Sequence, residues 1–211
     1  MDNLLFIDIE TIPGETMPDI EEVKLKAPKT MSKSETIDKW AAENQIEIYK
    51  KQALDSMQGR IICIGLSFQD QTFVLGHDES TEKGTLNELE VSIKGFMDEI
   101  RSPLVFVGWN ISGFDIPWLW RKSCQHNLQD LRKVIPKDNR AAYIDLMKVW
   151  AADYKDYVSL DNCAKFLGIE HETESGSCVY DWWQAGEIDK ITEHCRRDIE
   201  TTIKIYERIC E

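Results

Sequence analysis

The sequence contains neither a basic, apolar N-terminal leader nor an uninterrupted run of about 18 apolar residues. Export and membrane spanning are therefore not indicated, and we expect a cytoplasmic protein without a membrane partner. The six cysteines lie far apart and form no C-x-x-C pair, which argues against a zinc site and against a disulfide framework. Most of them fall in apolar patterns that are typical of buried free thiols.

Positive charge is also scarce. The chain has 25 lysines and arginines against 38 aspartates and glutamates, a formal net charge of -13. Because nucleic acid is captured by many Lys and Arg contacts to phosphate, this balance argues against broad electrostatic binding of long duplexes. The exception is the segment 121–140, where six basic residues outnumber two acidic ones: Arg121, Lys122, Arg132, Lys133, Lys137 and Arg140 against Asp130 and Asp138. A phosphate-binding surface is expected there, although a solvated basic face is the commoner explanation.

Apolar residues make up 42% of the 211 residues, enough for one domain with a sizeable core. A polar stretch at about 15–58 reads as a helical insertion into that domain, and Ser32-x-x-Glu35 resembles a capping box at its helix. Periodicity predicts helices at 85–100, 160–167 and 187–210, a polar loop at 170–180, and strands at 4–9, 59–68, 72–75, 104–107 and 143–147. This order of elements indicates an α/β layer with a mixed sheet.

Two acids, Asp8 and Glu10, interrupt the first predicted strand. Successive side chains of a strand point to opposite faces, so these two share one face at a spacing of about 7 Å. Anions in an apolar strand repel each other and lose hydration, and a divalent cation between them would relieve both effects. Oxygen ligands without a nearby His or Cys favour Mg²⁺ or Mn²⁺. A strand at a sheet edge, with its acids in water, explains the two residues alone equally well.

Asp115 follows a loop that is flanked by glycines. Pro117 fits the first turn of a helix, which places Asp115 at or just before the helix N-terminus. By itself this position indicates an N-cap, and Asn110 reads as a loop residue that ties down its own backbone. Asp145, in the short fifth strand, has no second acid beside it. We interpret it as a structural or supporting residue and not as a metal ligand.

The last predicted helix carries His194 and Asp198, four residues apart and beside its apolar stripe. A surface pair is the ordinary interpretation of this spacing. Four separated acids and a histidine, each at the end or edge of a buried element, favour a common site instead.

Three stretches, FIDIET, GWNISGFDIPWL and HCRRDIETT, resemble the three exonuclease motifs of the DEDD 3'-5' exonuclease superfamily, in the same order. The nearest likeness is to stand-alone exonucleases related to the proofreading domain of family B DNA polymerases. The stretches RIICIGLSF, YIDLMKVW and VSLDNCAKFLGI are similar to connecting elements of that group. The resemblance therefore covers most of the chain outside residues 15–55.

This resemblance implies an RNase H-like fold with a five-stranded mixed sheet flanked by helices. It implies two-metal hydrolysis, in which two divalent ions, Mg²⁺ or Mn²⁺, are held by Asp8, Glu10, Asp115 and Asp198. Thr11 and Asn110 would lie near the terminal nucleotide. The implied activity is hydrolysis of single-stranded nucleic acid, DNA more than RNA, from the 3' end to nucleoside 5'-monophosphates. A DNA polymerase or another replication or repair protein is a candidate partner.

His194 departs from the superfamily pattern. That pattern has Tyr four positions or His five positions before the last Asp, whereas this chain has His four positions before Asp198. On a helix, four residues advance about 40° past a full turn and five about 140°, so the spacing decides where the side chain points. We interpret His194 as the base that positions or deprotonates the attacking water, because a histidine can be neutral at physiological pH.

Two other interpretations are weaker. Asp8-x-Glu10-Thr11 is one methylene away from the D-x-D-T start of aspartyl-phosphate phosphatases, but the later paired-Asp motif of that class has no matching context here. The chain could instead be a nucleic-acid-binding or polymerase-accessory module of the same fold with impaired catalysis. The acidic charge and the change from Tyr to His favour that second alternative.

Overall fold

The computed structural model describes residues 3–76, 81–152, 155–171 and 176–210. The chain divides into two compact units, one formed by Met1–Glu10 with Ile61–Glu211 and the other by Thr11–Arg60. The smaller unit spans the stretch in which the helical insertion is expected. Within the described ranges, no helix is both long enough and apolar enough to cross a membrane.

A five-stranded sheet forms the centre of the larger unit. Its strands are β1 (Leu4–Ile12), β2 (Arg60–Phe68), β3 (Gln71–Leu75), β4 (Val105–Gly108) and β5 (Tyr143–Asp145), in the spatial order β3-β2-β1-β4-β5. β4 runs parallel to both β1 and β5, whereas β2 and β3 form an antiparallel hairpin. The expected five-stranded mixed sheet of an RNase H-like fold is therefore confirmed.

Both units contain helices. In chain order they are α1 (Ile20–Lys24), α2 (Ser34–Lys50), α3 (Glu82–Ile100), α4 (Asp115–Gln125), α5 (Gln129–Val134), α6 (Leu146–Ala151), α7 (Leu160–Leu167), α8 (Val179–Gln184) and α9 (Ile188–Cys210). Short 3-10 turns lie at 51–54, 140–142 and 176–178. α1 and α2 belong to the smaller unit, and the other helices belong to the larger one.

The smaller unit has a core of its own. Val23 of α1 and Ala41 of α2 are fully buried, and the hydroxyl of Tyr49 donates a hydrogen bond to the carbonyl oxygen of Gly14 at 2.7 Å. The predicted capping box at Ser32 is wrong. α2 begins at Ser34, and the residue at its N-cap makes no side-chain capping hydrogen bond.

The side chains of β1 alternate between two apolar cores. Its odd-numbered residues from Leu5 to Ile9 lie in a core shared with α3, α4 and α5. Leu4 and Phe6 lie in a second core, on the side of the sheet that α6, α7 and α9 cover. Because the alternation continues along the strand, the two acids of β1 lie on the same face as this second core.

A glycine allows α9 to approach β2 closely. A Cβ atom at Gly65 would lie 2.9 Å from the Sγ of Cys195 and 2.9 Å from the Cγ1 of Ile199, which is closer than real Cβ contacts. The predicted apolar stripe of α9 faces inward, with Ile191, Cys195, Ile199 and Thr202 buried. The absence of a side chain at Gly65 therefore decides how near α9 lies to the sheet.

Two further local predictions are wrong. The fifth strand ends at Asp145 and not at Met147, because the Asp145 side chain accepts a hydrogen bond from the N–H of Lys148 and so caps α6. The stretch 170–180 is not only a polar loop. It includes the start of α8, whose Val179 and Trp182 are buried.

Alanine at Gly65 should lower the free energy of unfolding by about 1–3 kcal/mol, because the added methyl group would overpack the contact between β2 and α9. The matched control is Gly95→Ala in α3, where an added Cβ meets nothing within 4 Å. That change should raise the free energy of unfolding by about 0.5–1 kcal/mol, since alanine favours a helix over glycine. Denaturant titration measures both, and equal stability of Gly65→Ala and wild type would contradict the close approach.

Candidate active site

The parallel strands β1 and β4 place their carboxyl ends at the same edge of the sheet. Asp8 and Glu10 lie near the end of β1, and a turn at residues 109–114 connects β4 to α4, whose first residue is Asp115. The Asp115 Oδ1 accepts a hydrogen bond from the backbone N–H of Ile9, at 3.1 Å. The structure therefore brings Asp115 beside the two acids of β1.

α9 supplies the other two side chains of the cluster. The Nε2 of His194 lies 3.5 Å from the Oε1 of Glu10 and 4.0 Å from the Oδ2 of Asp198. His194 is 4% exposed, so it is not a surface residue. The ring of Trp182 in α8 packs edge-on against the imidazole, with 5.7 Å between ring centroids. We call these five side chains the acid cluster: Asp8, Glu10, Asp115, His194 and Asp198.

The carboxylates of the acid cluster destabilise one another's charged forms. Burial, followed by the charge of Asp115, raises the pKa of Asp8 well above its usual value. Burial also raises the pKa of Glu10 well above its usual value, and the charge of Asp8 adds to the effect. Water is largely excluded from this point, and the neighbouring charges are mostly of the same sign.

Asp115 and Asp198 respond in the same way. Burial raises the pKa of Asp115 to about 8, although hydrogen bonds from its own backbone N–H and from that of Ile9 lower it. Burial, followed by the charge of Asp8, raises the pKa of Asp198 to about 8. Carboxyl groups whose pKa lies so far above the usual value indicate a site that lacks compensating positive charge.

The donor atoms of the acid cluster fit a hard divalent cation. One carboxylate oxygen, the Oδ1 of Asp198, is buried without a hydrogen-bond partner in the described part of the chain. A carboxylate oxygen of Glu10 lies within 4.8 Å of one of Asp198. Carboxylate oxygens are the preferred ligands of hard divalent cations, and such a cation would remove the repulsion that raises the pKa values.

Sequence patterns did not single out His171, which lies close to Asp198. Its Nε2 is 2.6 Å from the Oδ1 of Asp161 and 4.0 Å from the Oδ1 of Asp198, and its Nδ1 is 2.9 Å from the hydroxyl of Thr201. The charge of His171 lowers the pKa of Asp198, against the larger effect of burial. A histidine in an irregular segment gives no periodic signal, so only the folded chain reveals this contact.

The roles of Thr11 and Asn110 stay predictions. Thr11 lies in the smaller unit, where its hydroxyl donates a hydrogen bond to the carbonyl oxygen of Ala53 at 2.5 Å. Asn110 has a positive φ of 57°, and its carbonyl oxygen accepts hydrogen bonds from the N–H groups of Gly113 and Phe114. Asn110 therefore shapes the turn that leads into α4.

Asp145 makes contacts that suit the structural or supporting role expected of it. Its Oδ2 accepts hydrogen bonds from the backbone N–H and the hydroxyl of Ser112, and its Oδ1 accepts one from the N–H of Lys148. The ammonium group of Lys148 also donates to the hydroxyl of Ser112. These contacts attach the turn before α4 to the end of β5.

The basic segment 121–140 is partly neutralised within the fold. Lys122 is 3% exposed, and its Nζ lies 3.4 Å from a carboxylate oxygen of Glu82. The Nζ of Lys133 lies 2.8 Å from a carboxylate oxygen of Asp130. The expectation that the whole segment forms a phosphate-binding surface is therefore wrong for Lys122, which is buried.

The family model of the RNase_H superfamily matches residues 51–210, so the chain belongs to that superfamily. This membership supports a nuclease-like hydrolase. An uncharacterised protein of Methanocaldococcus jannaschii is 26% identical over 162 residues, 72% of this chain and 87% of that protein. A DNA polymerase of Archaeoglobus fulgidus is 27% identical over 132 residues, 56% of this chain and 17% of the polymerase. The similarity to the polymerase thus concerns a small part of its length.

The metal-free protein should lose stability as the pH rises from about 4 to about 8, because Asp115 and Asp198 stay protonated in the folded state and ionise in the unfolded state. Asp198→Asn removes one of these groups. It should raise the free energy of unfolding near pH 8 by at least about 1.4 kcal/mol, the equivalent of one pKa unit. Denaturant titrations in EDTA at low and high pH measure the effect.

The matched control is Asp130→Asn. The hydrogen bonds from Lys133 and Lys94 lower the pKa of Asp130 to about 2, so this change should not stabilise the protein at high pH. A wild-type stability profile in Asp198→Asn would mean that its carboxylate is not repelled in the folded state.

Proposed function

We propose that the protein is a metal-dependent 3'-5' exonuclease that releases nucleoside 5'-monophosphates from the 3' ends of single-stranded nucleic acid, DNA in preference to RNA. The observation that carries the proposal is the convergence of four carboxylates from β1, α4 and α9 at one edge of the sheet, with the imidazole of His194 beside them. The polarity rests on the sequence resemblance alone. The DNA preference rests on the same resemblance, and the similarity to a DNA polymerase supports it.

In this proposal Asp8, Glu10, Asp115 and Asp198 would hold two ions, Mg²⁺ or Mn²⁺. Such ions would lower the pKa of water and stabilise the negative charge that develops on the phosphate and on the leaving 3' oxygen. The raised pKa values of the four carboxyl groups and the unpartnered Oδ1 of Asp198 support this assignment, because each is an unfavourable feature that a cation would remove.

His194 accepts the proton of the attacking water at its Nε2. This nitrogen lies between a carboxylate oxygen of Glu10 and one of Asp198, so it faces the point where the acids meet. The edge-on packing of Trp182 limits rotation of the imidazole and keeps Nε2 directed at that point. The neutral histidine then acts as a general base, and Glu10 and Asp198 stabilise the imidazolium that forms.

Substrate and partner contacts complete the proposal. Asn110, in the turn before α4, and Thr11 contact the terminal nucleotide. The net charge of -13 and the burial of Lys122 leave little positive surface for long duplexes. Short single-stranded ends, or delivery by a DNA polymerase or another replication or repair protein, therefore suit this chain better than duplex capture.

A second candidate function is a nucleic-acid-binding or polymerase-accessory module of the same fold with impaired catalysis. The acidic charge favours it, as does the histidine at the position where one superfamily branch has tyrosine. The presence of all four carboxylates favours the enzyme.

The protein should shorten end-labelled single-stranded DNA from the 3' end in Mg²⁺ or Mn²⁺ and lose this activity in EDTA. Asp8→Ala and Asp198→Ala should each abolish the activity, because each removes a carboxylate of the metal site. Glu193→Ala is the matched control, since this exposed acid on α9 lies five residues before Asp198. Parallel lanes with RNA test the sugar preference. Unchanged activity in either aspartate variant would exclude the two-metal assignment, and inactive wild-type protein would favour the accessory module.

Phenylalanine at His194 should lower kcat by about 10² to 10⁴, the usual contribution of a positioned acid-base group, while metal affinity changes little. Tyrosine should be the best-tolerated replacement, because the four-residue spacing matches the branch that uses a phenol to orient the water. His126→Phe is the control, since His126 pairs with Glu82 outside the acid cluster. Steady-state kinetics decide: a wild-type kcat in His194→Phe would show that His194 is not the base.

A further inference from the structure

Two cysteine thiols lie behind the carboxylates of β1. The Sγ of Cys195 in α9 is 3.9 Å from the Oδ2 of Asp8 and 4.0 Å from its carbonyl oxygen. Cys195 also hydrogen-bonds with the thiol of Cys63 in β2, and this contact, followed by burial, raises the pKa of Cys195. The close approach of β2 and α9 at Gly65, two residues from Cys63, brings the sulfur atoms to this place.

We propose that Cys195, Asp8 and Glu10 form a binding site for a thiophilic divalent cation of the zinc class. One ligand atom from each of these residues lies within 4.8 Å of the other two. Zinc binds sulfur at about 2.3 Å and carboxylate oxygen at about 2.0–2.2 Å, which puts tetrahedral sulfur and oxygen ligands about 3.5 Å apart. The 3.9 Å between the Sγ of Cys195 and the Oδ2 of Asp8 needs only a small adjustment to reach that spacing.

The sulfur atom makes this site chemically different from the four carboxylates of the proposed catalytic site. Oxygen ligands alone suit magnesium and manganese, whereas a thiolate selects softer cations such as zinc, cobalt and cadmium. Binding displaces the thiol proton of Cys195 to solvent and forms one metal–sulfur bond. The thiol of Cys63 then donates its hydrogen bond to the Cys195 thiolate and supports the ligand.

This site could not be predicted from the spacing of its residues along the chain. Asp8 and Cys195 are 187 residues apart, and no C-x-x-C pair announces a zinc site. The other cysteines have different surroundings. Cys163 is buried in an apolar core, whereas Cys124, Cys178 and Cys210 are more exposed. Among the described residues, Cys195 is the only cysteine that lies in a group of three or more potential metal ligands.

The site shares Asp8 and Glu10 with the proposed catalytic ions. A cation of the zinc class bound to Cys195 would therefore occupy carboxylates that hydrolysis needs. Inhibition of the magnesium-dependent activity by zinc follows, and this consequence rests on the proposed function. Binding of the cation itself does not rest on the proposed function.

Cobalt(II) is the probe, because a cobalt–thiolate bond produces a sulfur-to-metal charge-transfer band in the near ultraviolet. The background protein carries Ser at the three more exposed cysteines, Cys124, Cys178 and Cys210. Cobalt should produce the band in this background, with the intensity of one cobalt–thiolate bond. Cys195→Ser should abolish the band, and the matched control Cys163→Ser, which changes another buried thiol, should retain it. Circular dichroism verifies that each variant is folded.

A missing band in the background protein, or a band that persists in Cys195→Ser, would overturn the proposal. Glu10→Gln gives a second test if Cys195→Ser does not fold. This variant keeps the sulfur ligand and should weaken cobalt binding at least about tenfold. Loss of a residue that only supports a metal ligand already weakens binding by about that factor. Unchanged cobalt affinity in Glu10→Gln would also overturn the proposal. These spectra need no nuclease activity, so they separate failure of this site from failure of the proposed function.

Discussion

Repulsion between buried carboxylates is the constraint around which the larger unit is arranged. Glu10 and Asp115 are buried and Asp8 and Asp198 are half-buried, and burial is the first cause of the raised pKa of each. No folded chain gains stability from such a group of anions. The surrounding sheet and helices must therefore hold the carboxylates in place against their mutual repulsion, and a bound cation would reverse the sign of the interaction.

The backbone meets this constraint at a few particular positions. Asn110 adopts a left-handed conformation in the turn before α4, and a Cβ atom at Gly113 would lie 2.4 Å from the Oδ1 of Asn110, so a larger residue there would displace the Asn110 side chain. Asp145 attaches the same turn to β5 through Ser112. Together with Gly65 under α9, these residues fix the distance between the strands and helices that carry the acids. The geometry at this edge of the sheet thus depends on residues outside the acid cluster.

Much of the fold could be predicted from the sequence because its periodic patterns are strong. The apolar runs of β1, β2 and β4 and the stripe of α9 identify buried faces without knowledge of the tertiary structure. The short elements were less predictable. β5 ends early because Asp145 caps α6, and α8 has no pattern long enough to distinguish it from a loop.

Some residues of the candidate site could likewise be predicted from the sequence, and others could not. Asp8, Glu10, Asp115, His194 and Asp198 could be grouped from motif order, and the structure brings them together, while their chemical roles stay predictions. His171 and Cys63 could not be found, because their importance arises from contacts across the fold. Lys122 could not be recognised as buried either, because its partner Glu82 lies in a distant helix. Such contacts depend on packing that no local pattern encodes.

The order of these elements along the chain has a consequence for biosynthesis. β1 is made first and α9 last among the described elements, and the contact between Asp8 and Cys195 spans 187 residues. While a nascent chain is still emerging from the ribosome, the acids of β1 remain hydrated and ionised, because the helix that covers them has not yet been made. Their desolvation is therefore postponed to the docking of α9, a late and non-local step of folding. Availability of cations in the cell at that moment, and not only during turnover, would influence how readily the chain completes its fold.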